Sequence, residues 1–98
     1  MTTTTRRYTV WGLKGDAKAM TSGTVRYAAG DDAIDALTRR IARLTRCSVI
    51  TARSDGEEME HGEVVSSHYE ITIGHPIPRK RGGGYSVEGS LWAAIYRE

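Results

Sequence analysis

Apolar side chains follow two rhythms along this chain. Over residues 64 to 73, Val65, Tyr69, Ile71 and Ile73 share one parity while Ser66, His68, Glu70 and Thr72 share the other, which predicts a strand with one core face and one wet face. Residues 85 to 96 repeat the alternation, with Tyr85, Val87, Leu91, Ala93 and Ile95 set against Ser86, Glu88, Ser90, Trp92, Ala94 and Tyr96. The second set is polar at its beginning and aromatic at its end. Between residues 32 and 46 the period changes. Ile34, Leu37, Ile41 and Leu44 fall on one helical stripe, and the Ala29-Gly30-Asp31-Asp32 stretch before them offers a chain break and capping side chains.

The remaining segments are shorter. Residues 6 to 13 are rich in aromatic and β-branched side chains and run into a turn-type cluster at Lys14-Gly15-Asp16, so they predict a strand and a loop. Tyr8 and Val10 are apolar on one parity, Trp11 and Leu13 on the other, the pattern of a central strand or of an oligomer contact. Residues 20 to 28 predict a second strand in which Val25 and Tyr27 share a face. Val49, Ile50 and Ala52 predict a short strand stopped by a turn at Ser54-Asp55-Gly56, with an acidic hairpin tip beyond it (Asp55, Glu57, Glu58, Glu60, Glu63). A long connection is expected from about residue 74 to residue 84, started by Pro76 and Pro78.

Together these predict an α+β fold of order ββαβββ: an antiparallel or mixed sheet of about five strands with one amphipathic helix packed on one face. A hairpin, a crossing helix and a three-stranded meander satisfy that order. Residues 1–5 are expected to form a loose tail and residues 6–98 a single domain. The architecture resembles cystatin-like and other small helix-on-sheet domains, a likeness of layout that implies no function. A chain of 98 residues buries roughly 60 to 68% of its unfolded surface, enough for a core without covalent staples.

Composition then narrows the setting. Cys47 is the single cysteine, so no internal disulfide can form, and a cytoplasmic location is the expectation. The Thr-rich start carries no apolar targeting stretch and no segment has the length of a membrane span. The net charge is +2, but it is unevenly shared. Residues 1 to 53 hold ten Lys/Arg and four Asp, residues 54 to 98 four Lys/Arg and eight Asp/Glu. A basic part and an acidic part on one small domain favour directed partner binding or head-to-tail self-association.

Chemistry-bearing candidates are few. Ser66, His68 and Glu70 line one strand face as a nucleophile, a base and a carboxylate would, but same-face neighbours on a strand lie roughly 6.5 to 7 Å apart and a flat row offers no oxyanion donor. Polar residues on a wet face account for them, and no catalytic residue is assigned. His61, His68 and His75 cannot share one ion, since odd spacing sends His68 and His75 to opposite faces. Neither a metal site nor a cofactor is expected, and Cys47 is expected to act as a small hydrophobe.

The helix carries Arg39, Arg40, Arg43 and Arg46 opposite its apolar stripe, with acids in its first turn. Dipole pairing and an Asp35 to Arg39 contact predict a solvated face. Arg79-Lys80-Arg81-Gly82-Gly83 is a basic glycine-rich loop lacking the Gly-Lys-Ser/Thr and following helix of a P-loop. It is the candidate for nucleic-acid or phosphorylated-ligand binding. Trp92 and Tyr96 stand opposite the core-facing residues of the last strand and, with Trp11, are the candidate protein interface. The expectation is a non-enzymatic interaction module, self-associating as a homodimer or larger and contacting an unidentified protein, with nucleic acid as the alternative partner and no membrane.

Overall fold

The computed structural model describes residues 2–12, 21–78 and 82–97. Its elements are β1 (Thr3–Trp11), β2 (Thr21–Ala28), α1 (Ala33–Thr45), β3 (Ser48–Glu60), β4 (Glu63–Pro78) and β5 (Gly83–Tyr96). All strands join one sheet of order β2-β1-β5-β4-β3, and every pairing is antiparallel. The expected ββαβββ α+β domain is therefore the fold. The helix carries the chain from the β2 edge to the β3 edge, and β1 is the middle strand of the first three. Its two-sided apolar pattern is that of a central strand.

One face of the sheet meets the helix. Tyr8 and Val10 of β1, Val25 of β2, Ile71 and Ile73 of β4, and Leu91, Ala93 and Ile95 of β5 pack with Ala36, Leu37 and Ile41 of α1 and with Cys47. Leu37 and Ile41 are fully buried, each contributing roughly 1.5 to 3 kcal/mol. Leu44 departs from the expected stripe: it is 50% exposed, so the sheet covers the helix only as far as Ile41. Asp32 takes the N-cap position with extended dihedrals, yet its side chain makes no capping hydrogen bond. Its carbonyl accepts from the Asp35 and Ala36 amides instead. Across β1 and β2, the Tyr8 ring fills the space over Gly23, where an added Cβ would lie 3.2 Å from the Tyr8 hydroxyl.

Four expectations change. The tail expected over residues 1–5 is strand from Thr3 onward, paired from Thr3–Ala28 inward. β-Branched threonine suits a ladder even where no hydrophobic pattern announces one. Second, Ser54-Asp55-Gly56 is not a turn. β3 runs through it with a bulge between Ser54 and Glu57, with Gly56 at φ 107°, and the hairpin closes at His61-Gly62. Both of those residues have positive φ (52° and 81°), the signature of a tight type I′ connection. The acidic residues Asp55 to Glu60 therefore lie along an edge strand, where charge discourages pairing with other chains.

The long connection expected from residue 74 to 84 is mostly strand as well. β4 continues to Pro78 and pairs with β5 as far as Pro78–Gly83. Pro76 and Pro78 are tolerated because the β3 ladder stops at Ser48–Gly74, leaving that side of β4 an edge with no ladder bond to lose. Gly74 is required where it sits: a Cβ there would collide with the Ser86 carbonyl oxygen and come within 2.8 Å of Ile50 Cδ1. Lastly, the register shifts between Ile73–Gly89 and Gly74–Val87. Glu88 is the extra residue, and its bulge reverses the parity beyond it, so Tyr85 and Val87 fall on the same side as Trp92 rather than with Leu91.

Candidate functional site

The sheet face away from the helix is built from alternate residues of β1, β5 and β4. Ladder pairs place Trp11 opposite Trp92, Thr9 opposite Ala94, His68 opposite Ala94, Glu70 opposite Trp92 and Ser66 opposite Tyr96. Among the described residues no other element packs over this face. The three aromatic residues are half-buried rather than fully exposed. Ala94, between Trp92 and Tyr96 in the strand, has no exposed surface at all. The Tyr96 hydroxyl donates to Thr9 Oγ1 at 3.1 Å, and the Arg7 guanidinium lies 5.4 Å from the centroid of the Tyr96 ring, within cation–π range.

Tyr96 stands between two shallow hollows of different character. One, of about 530 Å³, is lined by Arg7, Tyr8, Thr9, Ser22, Gly23 and Thr24. The other, of about 280 Å³, is lined by Glu58, Glu60, Val65, Ser66 and Arg97. Arginine and hydroxyls mark the first, and two glutamates lie in the second.

Ser66, His68 and Glu70 share this face as the alternation predicts, but their contacts differ from a catalytic row. Ser66 Oγ is 3.1 Å from His68 Nε2. Glu70 accepts from Arg53 at 3.1 Å, and the carboxylate beside the histidine is that of Glu58, 4.0 Å from Nε2 and 3.5 Å from Ser66 Oγ. Glu58 reaches this face because the bulge at Gly56 advances β3 by one residue. Strict alternation misses it. A hydrolytic triad needs the serine and the acid on different imidazole nitrogens, whereas here both approach Nε2. Ser66 is also 1% exposed. This cluster ties β3 to β4.

At the far end of the helix, Cys47 Sγ lies 3.8 and 3.7 Å from the two ring nitrogens of His75, and His75 Nε2 lies 3.5 Å from Glu88 Oε1. Near-equal distances leave the sulfur favouring neither nitrogen. Cys47 is buried and follows the helix C-terminus. Neither periodicity nor spacing pointed to this grouping. The Glu88 bulge brings it together. Among the described residues no group of three or more His, Cys, Asp or Glu is placed to hold a metal, and no helix is long and apolar enough to cross a membrane.

Two clefts flank the helix. Near its start, a cleft of about 390 Å³ is lined by Arg6, Tyr27, Asp31, Asp32, Ser67, Tyr69 and Arg97, among others. Burial pushes the Tyr69 phenol above its ordinary value of 10.0, helped by the Asp32 and Glu57 charges and opposed by the Ser67 hydrogen bond and by Arg97. Along the β2 side, a cleft of about 200 Å³ is lined by Val25, Arg26, Ala36, Arg39, Arg40 and Arg43. Of the basic loop, Arg79, Lys80 and Arg81 lie outside the described residues. Gly82 has a φ of 73° and Gly83 opens β5. Compared with known protein families, curated proteins and solved structures, the chain matches none of them.

Proposed function

We propose that this protein is a non-enzymatic interaction module whose helix-free sheet face joins two copies of the chain. The observation that carries this is the aromatic ridge of Trp11, Trp92 and Tyr96 on a face that no described element covers, flanked by an arginine hollow and a glutamate hollow. Under a twofold axis the same patch serves both partners, so the Arg7 side of one copy meets the Glu58 and Glu60 side of the other. A single surface that carries both signs fits its own copy. Five strands about 4.8 Å apart and some 30 Å long present a face of roughly 700 Å². That approaches the ~800 Å² per partner of a standard stable interface.

Analytical ultracentrifugation at micromolar concentration tests the proposal. The parent is expected to sediment as a dimer and Trp92→Ser with Tyr96→Ser as a monomer. Arg7→Glu and Glu58→Lys are each expected to weaken the dimer, and together to restore it. A monomeric parent at 100 μM, about the weakest association of interest, overturns the proposal.

A further inference from the structure

Arg39, Arg40 and Arg43 of the helix are exposed, as the expected solvated face requires, with Asp35 in the first turn and Arg43 in the last. Arg39, Arg40 and Arg43 project from one flank of α1 toward the edge strand β2, where Arg26 joins them around a concave surface floored by Val25 and Ala36. Among the described residues no carboxylate lines this cleft. The expected Asp35 to Arg39 pair is not made, and among the described residues none of the four arginines pairs with a carboxylate within 4.0 Å. Arg40 is instead fixed by donating to the Thr24 carbonyl at 3.1 Å. The acids at the start of the helix, Asp31 and Asp32, face a different cleft. Four arginines from two elements thus line one cleft with no described carboxylate beside them, a concentration of like charge that an anion would relieve.

From this arrangement we infer that the α1–β2 flank is a binding site for the phosphodiester backbone of duplex nucleic acid. Guanidinium forks match phosphate oxygens bidentately. Arg39 and Arg43, one helical turn apart, are separated by about 6 Å along the axis, close to two phosphate steps of about 3.4 Å per strand. Among the described residues no aromatic side chain lines the cleft, in contrast to the stacking platform that single-stranded sites use. The contact is to backbone and is blind to sequence. It lies apart from the aromatic face, and a dimer through that face would carry two such sites.

Fluorescence anisotropy with a labelled 20-base-pair duplex, and with one of its strands alone, tests the site. Four phosphate contacts give a log–log salt slope near −3.6, so affinity for the duplex should fall roughly 150-fold between 50 and 200 mM salt. Arg39→Gln with Arg43→Gln should reduce the slope by about 1.8 and weaken binding about 60-fold at 100 mM salt. Circular dichroism and thermal unfolding of this double variant should match the parent, since both side chains are exposed. Neutralising Arg79, Lys80 and Arg81 to Gln should leave most of the affinity in place. The inference is overturned if the parent fails to bind the duplex at 50 mM salt below ~100 μM, the weak end of non-specific binding. It is equally overturned if the loop variant loses binding while the helix variant keeps it, or if the single strand binds more tightly than the duplex.

Discussion

Trp11 and Trp92 face each other directly across the β1–β5 ladder, the outermost of the four pairs that join the N-terminal hairpin to the rest of the sheet. An aromatic pair in this position does two things. It closes the seam between the two parts of the chain, and it lies on the sheet face that no described element covers. Cross-strand aromatic pairs contribute about 0.5 to 1.5 kcal/mol beyond the area they bury. A double-mutant cycle of Trp11→Ala and Trp92→Ala by urea unfolding, run at a protein concentration where both forms are monomeric, should therefore show non-additivity of about 1 kcal/mol. Strict additivity would show that the rings do not support each other.

Burial separates the helix faces sharply. Leu37→Ala should cost about 2 to 5 kcal/mol because the side chain is fully enclosed and its loss leaves a cavity. Leu44→Ala, at a position half exposed, should cost less than about 1 kcal/mol, because little packing is lost and the helix propensity of alanine offsets part of it. Chemical denaturation compares them. Equal losses would mean that the last helical turn packs as tightly as the middle one.

The two glycines flanking the Glu88 bulge make opposite predictions. Gly74→Ala drives a methyl group into the Ser86 carbonyl and Ile50, an overpacking expected to cost at least about 1 to 3 kcal/mol. Gly89→Ala places its methyl in open space and should change stability by less than about 1 kcal/mol. Melting temperatures of the two variants decide the matter.

Tyr69 gives the fold an alkaline limit. Its phenol titrates above the ordinary value of 10.0, burial being the main cause, so the folded state holds the proton more tightly than the unfolded chain does. That stabilisation is fully present below pH 10 and is lost as pH rises through the folded-state titration. Urea midpoints of the parent should decline over that alkaline range more steeply than those of Tyr69→Phe, whose side chain has no proton to lose. Parallel declines would assign the effect to other groups.

The β3–β4 hairpin closes on His61 and Gly62, both at positive φ. Asparagine enters the left-handed region more readily than histidine, and Asn-Gly is the preferred pair for this connection. His61→Asn should stabilise the protein by a few tenths of a kcal/mol, whereas Gly62→Ala should destabilise it by about 1 kcal/mol. Thermal unfolding measures both. A destabilised His61→Asn would mean that the imidazole has a role beyond its backbone angle.

Element type and order were legible wherever the pattern was periodic and uninterrupted. Ile34, Leu37 and Ile41 marked the helix, and Ile71 and Ile73 the core face of β4. What sequence alone obscured came from interruptions that shift parity without ending a strand. Asp55-Gly56 has the composition of a turn, yet with a partner strand alongside, Gly56 at φ 107° makes a bulge. This places Glu58 rather than Glu70 beside His68. The same device at Glu88 moves Tyr85 and Val87 across the sheet and sets Glu88 against His75. Thr3 to Thr5 carry no apolar signal, and only the partner strand β2 reveals them as ladder. The arginine cleft was obscured differently. Arg39, Arg40 and Arg43 are plain in the helix, but Arg26 joins them only once the crossing helix is laid beside β2.

The strand order has a temporal consequence. β1 sits between β2, its neighbour in the chain, and β5, the last strand to be made, with Tyr8 paired to Ile95 and Trp11 to Trp92. During synthesis the β1–β2 hairpin and the β3–β4 hairpin can each form from local contacts, but the seam between them stays open until β5 arrives to fill it. Such distant pairings delay folding, since a large loop must close before they form. On the ribosome, the inner edges of β1 and β4 therefore wait unpaired, and the final strand acts as the keystone on which the sheet locks.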